Sequence, residues 1–356
     1  MKNKYTVVSV LFFAVLLFGG LAAFLLPHRS FSENENRALS DKIPAAHFAE
    51  MVSGDWQEGM ENFFTDQFFG RDFLCKLGSE TKILFGARER SGAYLCKEGV
   101  LTEAVPSVDR KRFSDNLAKV KAFAEKYPSV SVMFVPSAAA SERDLLPAYA
   151  LTYPSDEMFD EAKDTLSDSC RFIDLRDALS NQTGLYYRTD HHWTYKGALQ
   201  AYEAFCASSG REAEPFGHRK IADDFYGTLW SKTLNIGQKS DEIYAPDTDI
   251  DAQLYDADAT SRKDKYTYFL GGNDAKVVLR NPAAREDKTI LLIKDSFANS
   301  FVPYLTKTYQ NIILVDLRYF NERLSKLIET ENVDEILFLY SMTSFCESND
   351  LGRLKL

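Results

Sequence analysis

The sequence predicts an α/β fold: a parallel sheet with helices on both faces, behind an N-terminal transmembrane helix and carrying a β-rich insertion. Three observations predict it. The run from Tyr5 to Leu26 contains no charged residue and is long enough to cross a bilayer as a helix. Nearly all-apolar stretches such as SVSVMFVPS, NIILVDL and EILFLY alternate with segments of helical periodicity. Strands of that kind, buried on both faces, belong to a covered parallel sheet. Between about Gly210 and Glu286 the chain turns polar, with aromatic and threonine-rich pieces such as FYGTLW and KYTYFLGG, a pattern of antiparallel strands and loops.

The elements follow in order. Lys2 and Lys4 precede the apolar run and assign that short side to the cytoplasm. A cleaved signal would have a shorter apolar core and small residues at its end; Leu25-Leu26-Pro27-His28 does not fit. The expected organisation is a cytoplasmic tip and anchor over 1–27, a juxtamembrane lead-in over 28–95, and an α/β domain over 96–356 outside the cell membrane. In the lead-in, Trp56, Met60, Phe63, Phe64, Phe68, Phe69, Phe73 and Leu77 recur at helical spacing, interrupted near Gly70. Its polar face is rich in Glu and Asp, so it is expected to pack on the main domain rather than on lipid. Helices are expected over Asp109–Lys126, Asp156–Leu166 and Thr194–Ser208, and strands at SVSVMFVPS and CRFIDL. The last part reads strand KTILLIKDS, helix FANSFVPYLTKTY, strand NIILVDL, helix FNERLSKLIETE and strand EILFLY. Ligands of such sheets bind at the carboxyl ends of strands. Pro136-Ser137, Asp295-Ser296 and Asp316-Leu317-Arg318 fall at those ends.

Bulk composition excludes several classes. The 356 residues are 45% hydrophobic, with a formal net charge of -10. An acidic surface repels nucleic acid and offers no electrostatic attraction to anionic lipid. The five cysteines have no CxxC spacing, so neither a disulfide framework nor a zinc site is indicated; Cys75 and Cys96 are the one pair considered for a bridge. No phosphate-cradling loop is present, and no cofactor is implied.

The residues that carry chemistry are few. The stretch YYRTDHHWTYKG holds two of the five histidines side by side. Asp190 and His192 are two apart, a spacing at which a carboxylate can orient an imidazole whose other nitrogen takes a proton from a serine. The competing use of Asp190 is as a helix cap, with the histidines as ordinary side chains. Ser296 falls at a strand-to-helix turn, where backbone N–H groups can hold an oxyanion; the competing use is again a helix cap. Asp190, His191 and His192 together also suggest a metal, but adjacent histidines rarely reach one ion and no third histidine completes the set. No metal site is expected.

TDHHWT, with KDSF well downstream, resembles the DHHW protein family. It is similar as well to the SGNH-hydrolase-like domains of bacterial alginate O-acetylation proteins, whose Asp-x-His-Trp motif precedes the serine turn. ENRALSDKIP and DQFFGRD are similar to the entry segment of these proteins. The resemblance implies an SGNH-hydrolase-like, flavodoxin-like sheet with Ser296 as nucleophile, His192 as base and Asp190 as its orienter. His191 fills a variable place and Trp193 packs the motif on the core. Such esterases draw oxyanion donors from a glycine and an asparagine, which makes Asn273 in Gly271-Gly272-Asn273 a candidate. Ser137 and Arg318 are candidate substrate-lining residues. Lys294 stands where esterases of this type often carry glycine.

The expected function is a membrane-anchored extracytoplasmic O-acyltransferase or esterase acting on a surface polysaccharide or cell-wall glycan. Its partners would be an acyl donor, a glycan acceptor, the lipid bilayer and, by resemblance, a membrane-bound O-acyltransferase. The alternative is a non-catalytic glycan-binding or envelope scaffold protein that has kept the fold.

Overall fold

The computed structural model describes residues 2–180 and 182–354. The chain divides into two compact units, residues 1–87 with 231–237, and residues 88–230 with 238–356.

The first unit opens with α1 (Lys2–Leu25). Its stretch Tyr5–Leu25 is long and apolar enough to cross a membrane, a test that a signal sequence also passes. The side chains of Lys2 and Lys4, on which the expected orientation rests, lie outside the described residues. Three helices follow: α2 (Phe48–Ser53), α3 (Asp55–Gln67) and α4 (Arg71–Leu84). The expected interruption is the Phe68–Gly70 turn, where Gly70 has φ +77, a left-handed value that glycine adopts without steric cost. Phe24 of α1 packs edge-on against Phe64 of α3, with ring centroids 5.1 Å apart.

In the second unit, α5 (Arg110–Lys126) is capped by the Asp109 side chain, which accepts from the Arg112 N–H. It leads into β1 (Val130–Val135), α6 (Ser155–Leu166), β2 (Arg171–Asp174) and α7 (Tyr195–Ser208), which is capped by Thr194. Then come a hairpin of β3 (His218–Phe225) and β4 (Asp241–Pro246), and the strands β5 (Lys276–Arg280), β6 (Glu286–Lys294) and β7 (Tyr309–Val315). The helix α8 (Leu324–Thr330) and the strand β8 (Glu335–Ser341) close the sheet.

The central sheet has six strands in the order β5–β7–β6–β8–β1–β2. All neighbours pair in parallel except β5, which runs antiparallel to β7 at the edge. Alternate residues of one strand feed opposite cores. In β6, Ile290 and Leu292 join Trp193 and α7, while Leu291 and Ile293 join α5 and α6. Burial on both faces is why these strands read as unbroken apolar runs.

The stretch expected as an insertion of β type, 210–286, holds the antiparallel β3–β4 hairpin and, at its end, the strand Lys276–Arg280 of the main sheet, with short helical turns between them. This edge strand is only five residues long, and its apolar centre Val277-Val278-Leu279 is too short to stand out between Gly271-Gly272 and Asn281-Pro282. One local expectation needs correction. The helix expected over FANSFVPYLTKTY is a four-residue turn, Ala298–Phe301, followed by a tighter turn, Val302–Leu305. Pro303 has no N–H to continue the ladder. Cys75, Cys96, Cys170, Cys206 and Cys346 are all free.

Candidate active site

The loop before α7 presents the motif. Tyr186 bridges Trp193, the Tyr187 N–H donates to the His192 carbonyl (3.1 Å), and the Thr194 N–H to the Leu185 carbonyl (2.7 Å). The Asp241 carboxylate, at the start of β4, anchors the loop by accepting from the N–H groups of Arg188 (2.9 Å) and Thr189 (2.8 Å) and from Thr189 Oγ1 (2.6 Å). Trp193 is fully buried, as expected. Its Nε1–H donates to the Phe297 carbonyl (3.0 Å) and to Ser300 Oγ (2.9 Å). The indole therefore ties the motif to the segment just after Ser296.

The result is one chain of hydrogen bonds. Asp190 Oδ1 lies 2.6 Å from His192 Nδ1, and His192 Nε2 lies 2.8 Å from Ser296 Oγ. An ionised carboxylate takes the Nδ1–H, leaving Nε2 to accept from the serine hydroxyl. The structure thus brings together Asp190, His192 and Ser296, which stand far apart in the chain. Asp190 is buried, and four donors surround it. They are the His192 N–H (3.0 Å) and Nδ1–H, and the Thr228 N–H (2.7 Å) and Oγ1–H (2.8 Å). Burial pushes its carboxyl up, but the neighbouring histidines and these bonds outweigh that and hold it well below the usual range. Burial, with His191 beside it, draws the His192 imidazole down to about 4 against the attraction of Asp190. At neutral pH the imidazole is an uncharged acceptor.

Neither cap role foreseen as an alternative is taken. Thr194, not Asp190, caps α7, and the Ser296 hydroxyl goes to His192. The turn itself is held by Asp295, whose Oδ1 accepts from the Phe297 N–H (2.9 Å) and Oδ2 from the Ser341 N–H at the end of β8 (2.8 Å). This bears on the oxyanion. The Phe297 N–H is engaged, and the helix that follows is a single turn. Among the described residues no partner takes the Ser296 N–H.

Lys294 is buried, and its Nζ donates to Asn299 Oδ1 (2.6 Å) and Asn273 Oδ1 (3.2 Å). Burial lowers its ammonium to about 8. Asn299 Nδ2 donates to the same Asn273 oxygen (3.2 Å). With its oxygen held by two donors, the exposed Asn273 has an Nδ2 that no partner takes among the described residues and that can donate. Ser137 and Arg318 make no hydrogen bond to the three central residues among the described ones. Ser137 caps the turn after β1 through the Ala140 N–H (3.3 Å), and Arg318 pairs with Asp316 (2.5 Å). A cavity of about 540 Å³ is lined by Glu98, Glu142, Arg143 and Arg176 among others, and not by Ser296.

Two residues of the site escaped the sequence reading. Thr228, in the hairpin, supplies half of the donors to Asp190. Tyr266 stacks on the His192 ring, centroids 3.9 Å apart and 12° from parallel, and its OH donates to the Ser296 carbonyl (3.0 Å). The KYTYFLGG stretch was visible as aromatic-rich, but nothing in its spacing pairs it with the motif. The side chains of Asp190, His191 and His192 lie close enough together to suggest a metal. The donor set argues otherwise. Both nitrogens of His192 and both oxygens of Asp190 are already hydrogen-bonded, and His191 Nδ1 bonds Thr228 Oγ1 (2.8 Å).

Residues 158–315 match the family model described as DHHW protein. No curated protein matches the chain. Among solved structures, a DHHW family protein from Eubacterium siraeum is similar, with TM-score 0.63 and 20% identity over 75% of this chain and 96% of that one. Bacillus cereus PatB1, solved with a sulfonyl adduct, has TM-score 0.62 and 17% identity over 73% of this chain and 97% of its own. The O-acetyltransferase domain of Pseudomonas putida AlgJ has TM-score 0.52 and 13% identity over 74% and 95%. The DHHW family resemblance is therefore borne out over residues 158–315 by the family model, and these solved structures share the α/β fold over about three quarters of the chain.

Proposed function

We propose that this protein is a membrane-anchored O-acyltransferase or esterase that acts outside the cell on a surface polysaccharide or cell-wall glycan. The observation that carries the proposal is the continuous relay from Asp190 through His192 to Ser296 Oγ, at 2.6 and 2.8 Å. Three side chains in that order, with the carboxylate buried and the imidazole neutral, form a nucleophile with its base and orienter.

The chemistry follows from the protons. Ser296 Oγ attacks the acyl carbonyl as its proton passes to His192 Nε2. Asp190 steadies the resulting imidazolium. The tetrahedral oxyanion is held by the free Ser296 N–H and by Asn273 Nδ2, while Lys294 and Asn299 fix the orientation of that amide. The leaving group departs with the proton from His192, which leaves the acyl group on Ser296. A glycan hydroxyl then attacks and gives its proton to His192, and the serine is released; water in that place makes the enzyme an esterase. Ser137 and Arg318, at neighbouring strand ends, are proposed to line the substrate's path. The acyl donor is handed over by a membrane-bound O-acyltransferase, and α1 keeps the chain beside it. Support for acyl transfer comes from the similarity in fold to AlgJ, whose solved domain is described as an O-acetyltransferase.

The test is the release of acetate from an activated acetyl ester by the full chain in detergent. Ser296→Ala is expected to abolish it. Equal rates in parent and variant remove Ser296 as the nucleophile.

A further inference from the structure

Large apolar side chains of the first unit face outward where a water-exposed helix would be polar. In α4 these are Phe73, Leu74, Leu77 and Leu84, flanked by Phe69 and Phe85, and all six are between 43% and 85% exposed. Spacings of three, four and seven place the helical ones along one stripe. The other side of α4 is used within the unit. Arg71 and Ser79 are buried, and Ser79 Oγ donates to the Thr233 carbonyl. A contiguous exposed apolar patch marks an interaction surface, and the position of this one relative to α1 indicates what covers it.

The α3–α4 turn packs on the outer end of α1. Phe24 meets Phe63 and Phe64, and His28 Nε2 hydrogen-bonds the Ala23 carbonyl at 3.0 Å. The Phe68 ring sits directly on Gly19: a Cβ there would lie 2.1 Å from Phe68 Cζ. Gly19 is six residues before the end of α1, which puts the contact about 9 Å down the helix axis. A spanning α1 therefore carries the tip of the turn to the edge of the hydrocarbon, and α4 leaves from that level.

We infer that α4 is an interfacial helix. Its Phe73–Leu77–Leu84 stripe lies in the boundary between headgroups and acyl chains, in the leaflet where α1 emerges. The inference rests on α1 being the membrane anchor, and it replaces the expectation that the lead-in avoids lipid. The arginines around the turn are each paired with a carboxylate: Arg29 with Asp72 (2.9 Å), Arg37 with Asp66 (2.5 Å) and Arg71 with Glu35 (2.5 Å). These three charges are therefore engaged within the unit rather than with anionic headgroups. The contact is apolar, and it forms on neutral phosphatidylcholine at low and high salt alike.

The test places one added tryptophan at a time in the full chain, in phosphatidylcholine vesicles with brominated acyl chains, and subtracts the parent's emission. Phe13→Trp reports α1, Phe73→Trp the stripe, and Lys82→Trp the opposite side of α4. Phe73→Trp is expected to lose most of its added fluorescence to the bromolipid, as Phe13→Trp does, while Lys82→Trp keeps it. Quenching at position 13 with none at position 73 overturns the interfacial helix alone. Protection of position 73 from both bromolipid and aqueous iodide also overturns it, and points to a protein partner. No quenching at position 13 removes the anchor and the inference with it.

Discussion

At the residue scale, the central feature is a buried carboxylate held ionised beside a buried neutral imidazole. The sign of the pH effect follows. His192 must be unprotonated to accept the serine proton, and burial lowers its pKa from the ordinary 6.5 to about 4. Activity should therefore persist as pH falls through 6.5 and fail only near 4. A kcat/KM profile on a soluble ester checks this; an acid limb at or above 6.5 would contradict it. Thr228 gives a second prediction. Thr228→Val removes the hydroxyl bonded to Asp190 Oδ2 and leaves that carboxylate short of a donor. Such a loss costs about 1–3 kcal/mol, to be read in denaturant unfolding together with a fall in kcat. Asp190 and His192 were legible because they sit two apart with few rival histidines. Thr228 and Tyr266 were not, because a threonine or tyrosine in a loop has no spacing rule that ties it to a distant motif.

At the element scale, the loop before α7 and the turn after β6 must meet to within a hydrogen bond. Gly227 sets one limit on that fit. A Cβ there would fall 2.3 Å from Asp190 Cβ and Oδ2, a clash that only movement of Asp190 relieves. Gly227→Ala is expected to abolish ester turnover while the far-ultraviolet circular dichroism stays close to the parent's; parental turnover would show that the loop tolerates the shift. The strands of the parallel sheet were readable because both of their faces are buried. Lys276–Arg280 was not, since a five-residue edge strand with charged ends leaves only Val277-Val278-Leu279 as an apolar run, too short to tell from a loop. The helix after Ser296 was overread because its apolar residues have helical spacing, while Pro303 ends the ladder early.

At the scale of the whole molecule, the chain combines an apolar N-terminal helix with a unit that holds the candidate site. The proposed function requires the first to be a membrane anchor and the second to face outward. In intact cells, a protease added outside should digest the part beyond α1, and the chain should stay with membranes through alkaline washing. Release by alkali would mean that α1 does not span. The apolar N-terminal helix was the plainest signal in the sequence, because an uncharged run long enough to cross a bilayer stands out from a globular composition. The outward apolar face of α4 was hidden by the acidic residues around it, which only the folded unit shows to be paired with arginines.

The most direct measurement of the central claim is intact and peptide mass spectrometry of the protein quenched during turnover of an activated acetyl ester. One acetyl group on Ser296, lost in Ser296→Ala and strongly reduced in His192→Ala, is the predicted result. Turnover with no acetyl on Ser296, or acetylation that is the same in Ser296→Ala, would contradict it.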